Sequence, residues 1–232
     1  MQAKRIIQFL KDVAANNNRP WFQAHRDEYE AVKADFEQGA TQAIARLSVM
    51  DPSLARLGVK DVTYRFYRDT RFSADKSPYK NHMGMYIAAH GKKALHGGYY
   101  LHLEPDHCLL ACGNYWLPTN ILSSCRAEMA GRASEWLSIV EGEHFLQLFG
   151  RPGEGDWDSP RGFGLSVLKK TPRGYDAPEA LSPYLRLKDF CAWRHVPDTF
   201  FEGDGWVEQM MDTFETAHPM VDFINSVIDD YE

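Results

Sequence analysis

A chain of 232 residues, 44 % apolar and 13 % aromatic, can bury a substantial core as one large domain or two small ones. Its formal charge of −6, from 26 basic and 32 acidic residues, excludes a protein that coats nucleic acid through bulk charge. Four scattered cysteines without a Cys-x-x-Cys pair exclude a disulfide framework and fit a reducing compartment.

Residues 1–12 lack the apolar run and small-residue cleavage site of a signal peptide. The stretch between Asp106 and Arg126 is free of Lys, Arg, Asp and Glu, yet it carries His107, Asn114, Pro118 and Asn120, too polar a set for a membrane helix. The expected location is the cytoplasm, with no membrane contact.

Residues 3–15 place Ile6, Ile7, Phe9, Leu10 and Val13 on one helical face, and Asn16-Asn17-Asn18 stops that helix. A longer helix is predicted over residues 20–49, with Phe22, Tyr29, Val32, Phe36, Ala43 and Leu47 as its buried stripe. After Asp51-Pro52 the pattern changes. Residues 62–67 are β-branched and aromatic and read as a strand, as do residues 83–89, 99–104 and 107–114. Gly84, Gly91, Gly97 and Gly98 read as turn glycines. The short links favour antiparallel pairing.

Helices are predicted over residues 118–132 and from Ser134 onward. A long loop then covers residues 151–164, with four Gly and two Pro. Residues 165–168 and 190–196 read as strands, and the tail from Asp204 as helix, broken at Pro219. The expected class is α+β, a mostly antiparallel central sheet flanked by N-terminal and C-terminal helices, in a single domain over residues 1–232.

The basic charge is concentrated. Residues 60–93 hold eight Lys or Arg and three Asp, a net of +5, which leaves −11 for the remainder. Within this stretch Arg65, Arg68, Arg71, Lys76 and Lys80 face only Asp69 and Asp75. Cations at this density are costly to bury without partners. Three guanidiniums brought together by a turn would suit a phosphate or carboxylate, since each donates in a planar fork. Lys76 and Lys80 add point charge, and Asp69 and Asp75 orient the arginines. With His102 they are the candidates for general acid or base work, and Tyr79 closes the site.

Two alternatives remain open. The same residues could form a structural Arg–Asp network with no ligand, or a loop that docks the acidic surface of a partner protein. Interleaved aromatics also allow single-stranded nucleic acid to stack, but the aspartates and the acidic remainder argue against it.

The run Arg65-x-x-Arg68-Asp69-x-Arg71-Phe72-x-x-Asp75-Lys76-x-x-Tyr79 resembles the defining signature of a bacterial family of domains of unknown function of about this length. Asn17-Asn18-Arg19-x-Trp21-Phe22, Gly98-Tyr99-Tyr100-x-His102-x-Glu104-Pro105, Pro172-Arg173-Gly174-Tyr175 and Lys188-x-Phe190-x-Ala192-Trp193-Arg194 resemble further landmarks of that family. The resemblance implies no activity, substrate or cofactor. It implies that these residues belong together.

His102 and Glu104, two apart on a strand, share a face with Tyr100. An imidazole and a carboxylate can begin a metal site, but no His-x-x-x-His or Cys-x-x-Cys spacing supports one, and no metal is expected. Glu104 reads instead as a partner that orients Arg65 or Arg68. Arg173 and Arg194 are further candidates for the anion. Ser73 and Ser77 lack a nucleophile elbow, and Cys108 and Cys112 read as core thiols. The expectation is a protein that binds a small anionic ligand in an arginine-rich pocket. Reaction, cofactor and oligomeric state are left open.

Overall fold

The structure is a computed structural model, and it describes residues 1–231. It is α+β: five strands form one antiparallel sheet, with helices before and after it in the chain. The strands are β1 (Met83–Ala88), β2 (Gly98–Leu103), β3 (Leu109–Gly113), β4 (Arg161–Phe163) and β5 (Ala192–His195), in the spatial order β1-β2-β3-β5-β4. Among the described residues no helix is long and apolar enough to cross a membrane.

The chain groups into two compact units. The first comprises Met1–Ile87, Tyr100–Leu109 and Val196–Met211; the second comprises Ala88–Tyr99, Leu110–His195 and residues from Asp212 onward.

In the first unit, α1 (Ala3–Ala15) buries Ile6, Ile7, Phe9, Leu10 and Val13, as its periodicity predicts. The long helix predicted next is two helices, α2 (Arg19–Ala24) and α3 (Arg26–Met50), which meet at His25. No Gly or Pro marks that break. The His25 ring stacks on Trp21 with centroids 4.0 Å apart, and its Nδ1 lies 2.8 Å from the Trp21 carbonyl oxygen. Asn18 caps α2, its Oδ1 accepting the Trp21 N–H at 3.0 Å. Asp35, buried on α3, accepts the Nε–H of Arg5 on α1 at 2.7 Å.

Residues 62–67 are not a strand. Val62 ends the short helix α4 (Val59–Val62), and the following residues pair only through isolated bridges, Thr63 with Met85 and Tyr67 with Tyr79. The two sides differ in length: four steps separate Thr63 from Tyr67, and six separate Tyr79 from Met85. The two extra residues form a bulge, which interrupts a ladder that the composition would otherwise favour.

In the second unit, α5 (Thr119–Gly131), α6 (Ala133–Val140), α7 (Glu143–Phe149) and α8 (Ser182–Leu185) surround Trp136, whose ring meets Tyr184, Phe190 and Phe223. Arg126 is buried, and its guanidinium donates to the carbonyls of Leu185 and Leu187 at 2.8 and 2.7 Å. The expected strand at residues 165–168 is only a bridge from Val167 to Leu187, and the expected loop contains β4. There Gly162 pairs with Trp193, and the missing Cβ leaves space for the indole.

The last helix, α9 (Trp206–Asp229), runs unbroken through Pro219. An interior proline costs about 3 kcal/mol. The apolar stripe continues across it through Phe214, Ala217, Met220, Val221, Ile224 and Ile228, all buried, and that burial outweighs the lost hydrogen bond.

Candidate functional site

The charged motif lies in an irregular hairpin of the first unit. One arm, from Thr63 to Arg68, runs antiparallel to the other, from Pro78 to Met85. The Arg68 N–H donates to the Pro78 carbonyl, the Lys80 N–H to Phe66 and the Tyr64 N–H to Gly84, at 3.0, 3.0 and 3.2 Å. The hairpin is anchored by its aromatics. Tyr79 is only 3 % exposed and stacks on Phe22 with centroids 3.9 Å apart, while Phe66 packs on Tyr29 at 5.2 Å. Asn17 holds Tyr79 from both sides of its peptide: its Nδ2 donates to the Tyr79 carbonyl at 2.9 Å and its Oδ1 accepts the Tyr79 N–H at 3.1 Å. The asparagine run read as a helix stop is therefore also a clamp on the motif.

The tip of the hairpin satisfies itself. Asp69 accepts the Arg71 Nε–H and Nη2–H at 3.0 and 2.7 Å, a bidentate pair, and lies 3.9 Å from Arg65. Asp75 accepts the Ser77 N–H and hydroxyl at 2.9 and 2.6 Å and pairs through its other oxygen with Arg68. Lys76 donates to the Thr70 carbonyl at 2.9 Å. These contacts hold both carboxyls below the usual range, Asp69 chiefly through Arg71 and Asp75 chiefly through Ser77 and then Arg68. They are correspondingly weak bases. Arg68 and Arg71 thus each have a carboxylate of their own, and Phe72 projects 96 % exposed from the tip.

At the base of the hairpin a second set of groups converges. The bulge places Asn81 and His82 beside the end of β2, where His102 and Glu104 lie. The rings of His82 and His102 are 4.6 Å apart. His102 is 6 % exposed, with Nδ1 2.7 Å from the Tyr100 hydroxyl and Nε2 2.9 Å from Glu104 Oε2. Asn81 Nδ2 donates to the other oxygen of Glu104. One ligand atom from each of His82, His102 and Glu104 lies within 4.8 Å of the other two. Burial, and then the charges of His102 and Lys80, lower His82 to about 4. The hydrogen bond to His102 lowers Glu104, and burial pushes the Tyr100 phenol well above its usual value.

Two features of this cluster escape a sequence reading. Gly84 and Gly98 are not turn glycines; both lie in strands. A Cβ on Gly84 would lie 2.5 Å from the Tyr100 hydroxyl oxygen and 3.0 Å from Cε2, so the missing side chain is what admits the phenol that supports His102. Lys80, expected only to add point charge, is half-buried with its ammonium 5.6 Å from the centre of the Tyr64 ring. Burial, and then the charge of Arg65, lower its pKa.

The remaining predicted residues fall elsewhere. Arg173 is exposed in a loop of the second unit, and Arg194 is half-buried on β5, opposite Arg161 in the register. Cys108, Cys112, Cys125 and Cys191 are all buried and free. Burial pushes every one of these thiols up, Cys108 and Cys125 to about 12, as expected of inert core thiols.

The chain belongs to the conserved hypothetical protein family DUF2461, which matches residues 5–223. No curated protein and no solved structure matches it.

Proposed function

We propose that this member of the family binds a small anionic ligand, phosphate- or carboxylate-bearing, on the hairpin near Lys80, with Arg65 as a second cation. One observation carries the reading. Lys80 is half-buried over the Tyr64 ring, feels the positive charge of Arg65, and has no carboxylate partner among the described residues. Two like charges brought together in a partly desolvated place cost free energy, and an arriving anion offsets that cost.

Arg65 is the arginine freest to answer such a ligand, since its contact with Asp69 is 3.9 Å and that carboxylate already serves Arg71. Arg68 and Asp75 brace the arm below it. The aromatic face of Tyr64 bounds the place on one side and touches Tyr100 on the other, with ring centroids 6.5 Å apart.

A thermal-shift panel of inorganic phosphate, nucleotides and di- and tricarboxylates tests this directly. A ligand at 100 times its dissociation constant stabilises the fold by about 2.7 kcal/mol, and Lys80→Ala and Arg65→Ala should abolish the shift while Phe72→Ala retains it. A shift that survives Lys80→Ala overturns the assignment, and so does a flat response across the panel. The fully exposed Phe72 favours a second reading, in which the tip docks a partner protein. Binding lost in Phe72→Ala but kept in Lys80→Ala would select it.

A further inference from the structure

We infer that His82, His102 and Glu104 form a binding site for a divalent transition-metal ion, with Tyr100 and Asn81 orienting two of its ligands. The three donors come from two different places in the chain. His102 and Glu104 are two residues apart at the end of β2, and His82 reaches them from the bulge just before β1. Two imidazoles and a carboxylate are the donor set of open zinc and non-haem iron sites, in which the remaining positions hold water or substrate. Hard cations such as Mg²⁺ and Ca²⁺ prefer all-oxygen sets.

The distances suit one ion. Two donors each about 2.0–2.1 Å from a metal stand about 3.0 Å apart at a right angle and about 3.4 Å apart at the tetrahedral angle. His102 Nε2 and Glu104 Oε2 are 2.9 Å apart, and no donor of the set is beyond 4.8 Å from another. His102 and Glu104 already stand at ligand spacing, so the wider separations all involve His82, which is half-buried.

The surroundings are those of held ligands. Tyr100 sits 2.7 Å from His102 Nδ1, the nitrogen that would not face the metal, and Asn81 donates to the Glu104 oxygen that would not bind it. A phenol can donate or accept. It therefore supports the tautomer that shares a proton with Glu104 as well as the one that presents a lone pair to a metal. The positive charge of Lys80 acts on His82 and opposes a dication there, so its removal should not weaken the site.

The site is independent of the anion reading, and the test keeps the two apart. Tag-free full-length protein, stripped with chelator and held in chloride buffer without phosphate or carboxylate, is titrated with Co²⁺. The expected result is one Co²⁺ per chain, with a visible d–d band that Zn²⁺ displaces and Mg²⁺ does not. His82→Ala and Glu104→Gln should each weaken binding at least ten-fold, and Tyr100→Phe by about 10–100-fold as an outer-shell support. Lys80→Ala should bind Co²⁺ at least as tightly as the parent. Melting curves of the metal-free variants show which remain folded; His82 is only half-buried, so His82→Ala is the decisive variant. No band, or a band unchanged in both folded His82→Ala and Glu104→Gln, overturns the inference.

Discussion

Gly84→Ala tests whether the Tyr100–His102 pair is as tightly placed as its contacts imply. The new Cβ would lie 2.5 Å from the phenol oxygen and 3.0 Å from Cε2, well inside ordinary carbon contact distances. A flexible side chain would swing away at little cost. Tyr100 cannot, because its ring is largely covered and its hydroxyl is 2.7 Å from a buried histidine nitrogen. Overpacking of this kind costs about 1–3 kcal/mol. Displacing the hydroxyl leaves His102 Nδ1 without its partner, about 1–3 kcal/mol more. Against this, replacing a strand glycine returns about 0.5–1 kcal/mol of backbone entropy. The balance is a destabilisation of about 3 kcal/mol, or roughly 6–12 °C in Tm for a chain of this size. Urea denaturation of the single variants and of the double variant with Tyr100→Phe forms the cycle. Removing the oxygen relaxes the closest contact from 2.5 to 3.0 Å and strips His102 in advance, so Gly84→Ala should cost at least about 1 kcal/mol less in that background. Equal cost in both backgrounds, or a net stabilisation, refutes the reasoning.

Asn17→Ala should destabilise by about 1–3 kcal/mol in chemical denaturation, because both peptide groups of Tyr79 lose their partner, and the Tyr79 amide should exchange faster with deuterium. Asp75 carries the acid sensitivity of the tip. Its folded pKa lies below its ordinary value of 3.8, so its contribution is present above that value and is lost as pH falls through the folded pKa. Stability measured by urea denaturation from pH 5 to pH 2 should therefore fall less steeply in Asp75→Asn than in the parent; parallel curves would remove Asp75 from the account. The four thiols should resist Ellman's reagent at pH 8 in the folded state and react together in denaturant. A thiol that reacts faster than the protein unfolds would contradict its burial.

Much of the architecture could be read from local pattern. The stripe of α1 needs no tertiary information, because five apolar residues at helical spacing already define a face. The strands β1, β2 and β3 likewise follow from short β-rich runs between turn residues. The misreadings come where a distant contact outweighs a local signal. Pro219 is a strong breaker, yet a stripe that continues on both sides of it holds α9 together. At His25 the reverse happens: no breaker is present, and the stack on Trp21 ends one helix and begins another. Residues 62–67 have strand composition, but a ladder also needs equal spacing on the partner, and two surplus residues there deny it.

The same bulge explains why the candidate site was only half visible in the sequence. His102 and Glu104 share a face because side chains alternate along a strand, which two-residue spacing alone predicts. His82 joins them only because the opposite arm is two residues longer, and no local pattern encodes that difference. For the arginines the sequence showed the charge but not its pairing. Their density suggested guanidiniums converging on a ligand, but Asp69 is two residues from Arg71 and Asp75 is seven from Arg68, close enough for each pair to close within the loop. Both carboxylates of the tip are taken up by its own arginines, and Lys76 is held by the Thr70 carbonyl, so the loop is braced from within. Lys80, left without such a partner, acts through its charge on His82 at the base. The base of the hairpin, where His82, His102 and Glu104 bring their ligand atoms within 4.8 Å of one another, is therefore the place the proposed experiments address first.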